Sequence, residues 1–243
     1  MKPSVTVFVP AYNEESNLVH CVEVVLSKLD ELGIAAEILI VDDGSLDSTA
    51  QLADELAARY PSVRASHHAS NLGIGGAFRT AVEEARGEWM ILIPADLALH
   101  PDELRHYFEA APEADIVVGL RSDRSDYTLL RWLISWTNIH LIRTLFSMRL
   151  RQFQYISMYR MDILRQIEVK YWRSAFFLPE ILIKARDQGC RLVEVEVRYA
   201  PRVSGKPTGA KFKLIFLTVF DIIRFWLDWR FSPQRAQSTQ RNR

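Results

Sequence analysis

At 243 residues, with 49% hydrophobic and 25% charged side chains, the chain can bury a sizeable core in one domain or two small ones, which excludes wholesale disorder. Thirty basic and thirty acidic residues cancel, so nothing in the total points to a nucleic-acid binder acting through bulk charge. Residues 1–120 carry 7 Lys/Arg against 20 Asp/Glu and residues 121–243 carry 23 against 10, net −13 and +13, an asymmetry that gives the halves different ligands and the second an anionic one.

The first 120 residues alternate short β-branched runs with longer amphipathic ones, the pattern of βαβ units around a mixed, mostly parallel sheet. Val5 to Val9, Glu37 to Val41, Val63 to Ser66, Trp89 to Ile93 and Asp115 to Val118 read as strands. Helices are expected over 14–31, 46–59, 74–86 and 101–110, the last opened by Pro101 with Asp102 and Glu103 behind it, which suits a helix N-terminus. The fold class is α/β. In such sheets ligands gather beyond the carboxyl ends of the strands. Those ends read Pro-Ala-Tyr-Asn-Glu (10–14), Asp-Asp-Gly-Ser (42–45), Asn-Leu-Gly-Ile-Gly-Gly (71–76) and Pro-Ala-Asp (94–96).

The second half predicts helices near 127–149, 162–168 and 176–188, a strand over 191–199, a basic loop at 201–211 and a last helix over 212–230. Residues 232–243 lack an apolar cluster and read as a disordered tail. Cys21 and Cys190 stand far apart with no CxxC and no secretory leader ahead of the first apolar run, so neither a disulfide framework nor a structural zinc is expected, and a cytoplasmic location is. No uncharged apolar run reaches the roughly 18–20 residues that a membrane crossing needs.

Two strand ends carry the chemistry. Asp42 and Asp43, after an apolar strand and before a helix, can accept hydrogen bonds from a base or a ribose; the same residues with Gly44 also suit a turn that closes the strand. Gly73, Gly75 and Gly76 allow close backbone approach to a phosphate or sugar at a helix start.

In order, Val-Pro-Ala-Tyr-Asn-Glu-Glu-Ser-Asn-Leu (9–18), Ile-Val-Asp-Asp-Gly-Ser-Leu-Asp-Ser-Thr (40–49), Asn-Leu-Gly-Ile-Gly-Gly-Ala (71–77) and Ala-Asp-Leu with His-Pro (95–97, 100–101) resemble the family-2 glycosyltransferases, nucleotide-sugar enzymes of the GT-A fold. Within that family the chain looks most like the dolichyl- and polyprenyl-phosphate sugar synthases. The resemblance implies a GT-A domain over 1–211, extended by an amphipathic helix over 212–231 and the tail at 232–243.

It also implies roles. Pro10, Ala11, Tyr12 and Glu14 would surround ribose and base, Asp42 would meet the base, Asp43 and Gly73 would lie close to the same nucleotide, and Asp96 would stand by the donor diphosphate. The family's Asp-x-Asp metal motif has Pro94 at its first position here and Ala98 two residues after Asp96. Three readings stay open: a weak Mg²⁺ or Mn²⁺ site held by Asp96 and the substrate, a metal-independent enzyme that offsets diphosphate charge with Arg and Lys, or a degenerate enzyme that binds without turnover.

Arg121 and Arg124 follow the last strand of the acidic half, and Arg198, Arg202, Lys206, Lys211 and Lys213 form a stretch without an acid. Their cations suit phosphate oxygens, and Arg121, Arg202 and Lys206 join Asp96 as the expected catalytic set; a solvated basic loop is the plainer alternative. In the 212–230 helix, Lys213, Asp221, Arg224 and Asp228 fall within about 80° at 100° per residue, leaving a wide apolar face that includes Phe216, Phe220 and Trp226. With Trp132, Leu133, Ile134 and Trp136, that face suits a membrane interface, or else an oligomer contact or burial beneath the catalytic domain.

The expected function is transfer of a sugar from a nucleoside diphosphate to a polyprenyl phosphate by a protein lying on the inner face of a membrane. The alternatives are a catalytically degenerate nucleotide-sugar module or partner subunit, and a transferase acting on a sugar hydroxyl. A phosphate acceptor is already anionic near pH 7 and needs no strong base, whereas a hydroxyl acceptor would need one, with Glu180 the candidate.

Overall fold

The computed structural model describes residues 4–123, 127–198 and 212–231. Its seven strands are β1 (Val5–Ala11), β2 (Ala36–Asp42), β3 (Val63–His67), β4 (Trp89–Leu92), β5 (Ile116–Arg121), β6 (Ser157–Arg160) and β7 (Leu192–Val197), in the order β3-β2-β1-β4-β6-β5-β7. Neighbours run parallel except at β6, which lies antiparallel between β4 and β5. One edge of the sheet therefore collects the carboxyl ends of six strands, the place where α/β folds bind ligands.

Helices α1 (Leu18–Glu31), α2 (Thr49–Arg59) and α4 (Leu104–Ala110) cover one face. Helices α3 (Gly73–Glu84), α5 (Leu129–Phe146), α6 (Met161–Leu164), α7 (Phe177–Asp187) and α8 (Phe212–Arg230) contribute to the core on the other. The alternation along β1 divides the two cores: Val5, Val7 and Val9 join α1 and α2, while Phe8 joins the ring cluster of Phe78, Tyr159 and Phe177. On α1 the buried residues Leu18, Cys21, Val22, Val25 and Leu29 recur at helical spacing, so one stripe faces the sheet.

Several elements depart from the sequence reading. The first helix starts at Leu18 rather than 14, because Asn13 has a left-handed φ of 56° and the Glu14 carbonyl accepts from the Asn17 and Leu18 N–H groups, forming a turn. The second starts at Thr49 rather than 46, where the Asp47 carboxylate accepts from the Thr49 N–H and hydroxyl at 3.0 and 2.5 Å. Strand β6 was not among the predicted elements, and the helix expected over 162–168 is a single turn over Met161–Leu164.

Helix α8 divides its apolar surface in two. Thr218, Ile222 and Phe225 are buried against the α5 and α7 side of the core, where Phe225 meets Phe146 and Phe176, and the Trp226 indole donates to the Leu145 carbonyl at 3.1 Å. Phe216, Phe220, Ile223 and Leu227 are exposed, about half a helical turn away from the buried stripe at 100° per residue. Helix α5 likewise buries Ile142 and Phe146 and exposes Leu129, Trp132, Leu133 and Trp136, the two indoles stacked at 6.3 Å. Among the described residues no helix is long and apolar enough to cross a membrane.

Candidate active site

The carboxyl ends of β1 and β2 are in register, Ala11 opposite Asp42, and the Asp43 N–H donates to the Ala11 carbonyl at 2.8 Å. Asp42 and Asp43 are both buried, so every acceptor position on their carboxylates matters. Asp42 accepts through Oδ1 from the Ser45 N–H at 3.1 Å and meets His67 Nδ1 through Oδ2 at 3.2 Å. Asp43 accepts from the Leu72 N–H on Oδ1 and the Gly73 N–H on Oδ2, both at 2.8 Å, with His68 Nδ1 at 2.7 Å from Oδ1. A carboxylate thus caps the N-terminus of α3, where exposed N–H groups and the helix dipole favour negative charge.

The glycines around this cap serve packing. Gly44 has φ +71°, and a Cβ there would lie 2.7 Å from the Ser70 backbone; a Cβ on Gly75 would lie 1.7 Å from the Trp172 carbonyl oxygen. The Gly73 N–H lies 2.8 Å from Asp43 Oδ2 and 3.1 Å from Asn71 Oδ1.

The 10–17 loop is laced to the 42–49 loop. Asn13 donates its N–H to Ser45 Oγ at 3.0 Å and accepts from the Leu46 N–H at 2.8 Å, and the Glu14 N–H donates to Thr49 Oγ1 at 2.8 Å. Pro10 and Ala11 end β1, and Tyr12 stands half-exposed at the rim. The Glu14 carboxylate accepts from Asn17 Nδ2 at 2.7 Å.

Beyond β4, Leu97 takes a left-handed φ of 52°, and Asp96 Oδ1 accepts from the Ala98 N–H at 3.1 Å. The buried Cys21 thiol donates to the Pro94 carbonyl at 3.7 Å, and burial, then the negative charges of Asp96 and Glu14, push its pKa up to about 12. The β1 and β4 ends lie side by side, with the Ile93 N–H donating to the Phe8 carbonyl at 2.9 Å.

Arg121 ends β5 with 6% of its surface exposed. Its Nε donates to the Asp123 carbonyl at 2.6 Å, and its guanidinium lies 5.1 Å from the Tyr127 ring centre, over which the Arg131 guanidinium also lies at 4.3 Å. Arg198 does not stand with a free basic stretch: its Nε donates to Glu103 Oε1 at 2.6 Å. Arg124, Arg202, Lys206 and Lys211 lie outside the described residues.

Glu180 is overturned as a base. It is fully buried, and its carboxylate accepts from the Lys170 and Tyr171 N–H groups and from Lys184 Nζ at 2.7 Å, which leaves it to pin the 170–171 segment onto α7. Glu180→Gln should lower stability by about 1–2 kcal/mol through the weakened hydrogen bonds while leaving nucleotide-sugar affinity unchanged, a split that a thermal melt and calorimetry on the same sample would read.

His67 and His68 escaped the sequence reading. The signal was available, since they close the third parallel strand at the ligand edge, but their carboxylate partners are 25 residues away and no local spacing reveals them.

Residues 6–171 match the family model described as glycosyl transferase family 2. Over 224 residues the chain is 32% identical to the undecaprenyl-phosphate 4-deoxy-4-formamido-L-arabinose transferase of Pseudomonas aeruginosa, covering 90% of this chain and 64% of that protein, so it spans less than two thirds of that relative. It is 28% identical to the undecaprenyl-phosphate mannosyltransferase of Micrococcus luteus, over 96% of this chain and 98% of that one. Among solved structures, glucosyl-3-phosphoglycerate synthase from Mycobacterium tuberculosis in complex with phosphoglyceric acid superposes with a TM-score of 0.70 at 16% identity, covering 91% of this chain and 79% of that one. A mannosyltransferase from Pyrobaculum calidifontis in complex with GDP-Man and Mn²⁺ does so at 0.62 and 19%, covering 85% and 59%. The fold is GT-A. With the model spanning more than half its length across the β1, β2 and β4 ends just described, the chain belongs to glycosyl transferase family 2.

Proposed function

We propose that this protein moves a sugar from a nucleoside diphosphate to a polyprenyl phosphate at the inner face of a membrane, the observation that carries the reading being its 32% and 28% identity to two undecaprenyl-phosphate sugar transferases. The geometry supports it: three carboxylates, Asp42, Asp43 and Asp96, gather at the ligand edge of the sheet, and α5 and α8 expose apolar stripes suited to a lipid surface. In the reaction an acceptor phosphate oxygen bonds to the anomeric carbon as the bond from that carbon to the diphosphate breaks, and the nucleoside diphosphate leaves with the electron pair. No proton need be removed from the acceptor, so the chain's share is positioning and charge compensation.

Asp42 takes the base, with Pro10, Ala11, Tyr12 and Glu14 around the nucleoside, while Asp43 shapes the pocket by holding the start of α3. Asp96 lies toward the diphosphate. Arg121, Arg202 and Lys206 offset its charge. Among the described residues no three His, Cys, Asp or Glu side chains form a cage for a metal. A single carboxylate still fits Mg²⁺ or Mn²⁺ when diphosphate oxygens and waters complete the shell, and Asp96 is the residue that would hold it; such an ion supplies charge neutralisation on the leaving diphosphate.

The test is sugar transfer from a panel of nucleotide sugars to undecaprenyl phosphate in vesicles, with Mn²⁺ and with chelator. Asp96→Ala should lower kcat about tenfold with little change in KM, whereas Asp42→Ala should raise the donor KM about tenfold. Donor binding without transfer to any lipid phosphate would turn the reading toward a binding module.

A further inference from the structure

His67, at the end of β3, bridges two carboxylates on different elements: Nδ1 lies 3.2 Å from Asp42 Oδ2 on β2, and Nε2 lies 3.1 Å from Asp54 Oδ1 on α2. Both partners are acceptors when ionised. A neutral imidazole has one N–H and one lone pair, so it satisfies one carboxylate and turns a lone pair on the other. Only the imidazolium satisfies both. The neighbouring His68 has no such demand, because its Nδ1 faces Asp43 and its Nε2 faces the Thr80 hydroxyl at 2.8 Å, which can donate to a neutral ring.

The remaining charges around β3 are engaged elsewhere. Arg64 bonds Glu37 and Glu84; on α3, Arg79 pairs with Glu83; on α2, Glu55 accepts from Gln51 and Arg59 pairs with Glu23. Among the described residues, Asp42 and Asp54 are thus the charges bonded to His67. Its ring is about one third exposed, at 35%, and open to solvent protons, whereas Asp42 is nearly enclosed.

We propose that His67 is a positioning residue of the donor site, its imidazolium clamped between Asp42 and Asp54 so that the carboxylate meant for the donor's base is held in place and its charge compensated. The role rests on the donor-site reading above. Loss of the ring proton leaves either Asp42 or Asp54 without its partner, adds negative charge beside an anionic nucleotide, and loosens donor binding. Burial pulls the imidazole toward neutrality, but the bonds to Asp42 and Asp54 outweigh it and hold the pKa above the ordinary histidine value. The clamp is therefore complete below about pH 6.5 and is lost as pH rises through the elevated folded value, and the stability it contributes follows the same course.

The experiment uses the full chain with UDP-glucose and GDP-mannose as probes, neither of which carries a phosphate monoester that titrates in this range. Calorimetry at about pH 6 and about pH 8 should show the affinity of the probe that binds falling about three- to tenfold, and the His67 ring resonances should titrate above the ordinary midpoint. Asp54→Asn is the decisive variant. Its amide can donate to Nε2 of a neutral ring whose Nδ1–H still serves Asp42, so the affinity difference between the two pH values should shrink to within about twofold and the ring's midpoint should drop. Equal wild-type affinity at both pH values overturns the role alone, as does an Asp54→Asn variant that keeps the full pH dependence. Failure of both probes to bind at either pH overturns the donor-site reading and this role together.

Discussion

Asp43→Ala should lower the stability of the protein by about 3 kcal/mol, since each hydrogen bond to a charged group is worth about 1.5–3 kcal/mol and water at the loop's outer side replaces part of the loss. Asp43 is nearly fully buried and serves the Leu72 N–H, the Gly73 N–H and the His68 ring. Removing it orphans the Leu72 N–H, leaves the Gly73 N–H only the Asn71 Oδ1 acceptor at 3.1 Å, and leaves His68 with Thr80. At roughly 2–4 °C per kcal/mol for a chain of this size, the melting temperature should fall by about 6–12 °C. Asp43→Asn with its carbonyl at the Oδ1 position still serves the Leu72 N–H and His68 but turns its amide toward the Gly73 N–H, so it should lose about half as much. Hydrogen exchange at Leu72 and Gly73 should quicken before global unfolding does. If Asp43→Ala melts within about 2 °C of the native protein, the cap is not what holds the α3 end of the site.

What could be read from the chain in advance follows the range of the interactions. Strands β1 to β5 and helices α1 to α4 were legible because each carries its own periodicity and its own turn residues, and the strand ends could be located from them. The helix starts at 14 and 46 were misplaced because the residues that delay them, Asn13, Glu14 and Asp47, bond across the two loops as well as within them. Strand β6 escaped because Ser-Met-Tyr-Arg is four residues long and runs straight into Met161–Leu164, and its pairing with β4 and β5 is antiparallel in a sheet whose pattern predicts parallel crossovers.

The site divides on the same principle. Asp42, Asp43 and Asp96 stand in motifs whose neighbours in sequence announce a strand end. His67 acquires its meaning only when β3 lies beside β2, and Glu180 loses its expected role only when α7 closes over Lys170 and Tyr171. Gly75 reads as a ligand-facing glycine until the Trp172 carbonyl is seen to fill the space its missing Cβ leaves. Motifs identify where chemistry can occur, and packing decides which of their atoms remain available for it.

Replacing Phe216, Phe220 and Ile223 together by Ser should release the protein from lipid vesicles without weakening nucleotide-sugar binding. These side chains are 73%, 53% and 47% exposed on the stripe of α8 that faces away from the core. Fully burying such a side chain is worth about 1.5–3 kcal/mol, so transferring the outward half of each into the interface is worth about 1 kcal/mol apiece, and the three together about a hundredfold in vesicle partition. Trp226 is the wrong residue for this test, because its indole donates to the Leu145 carbonyl and its ring packs against the core. The attachment should survive salt better than a purely electrostatic one, since ions screen surface charge and leave apolar burial intact. Flotation with anionic liposomes at low and at high salt separates the two contributions, and a parallel melt shows that the exposed triple variant remains folded. Should that variant float with the native protein, or the native protein fail to float at low salt, the stripe belongs to a second copy or a partner subunit rather than to a lipid surface.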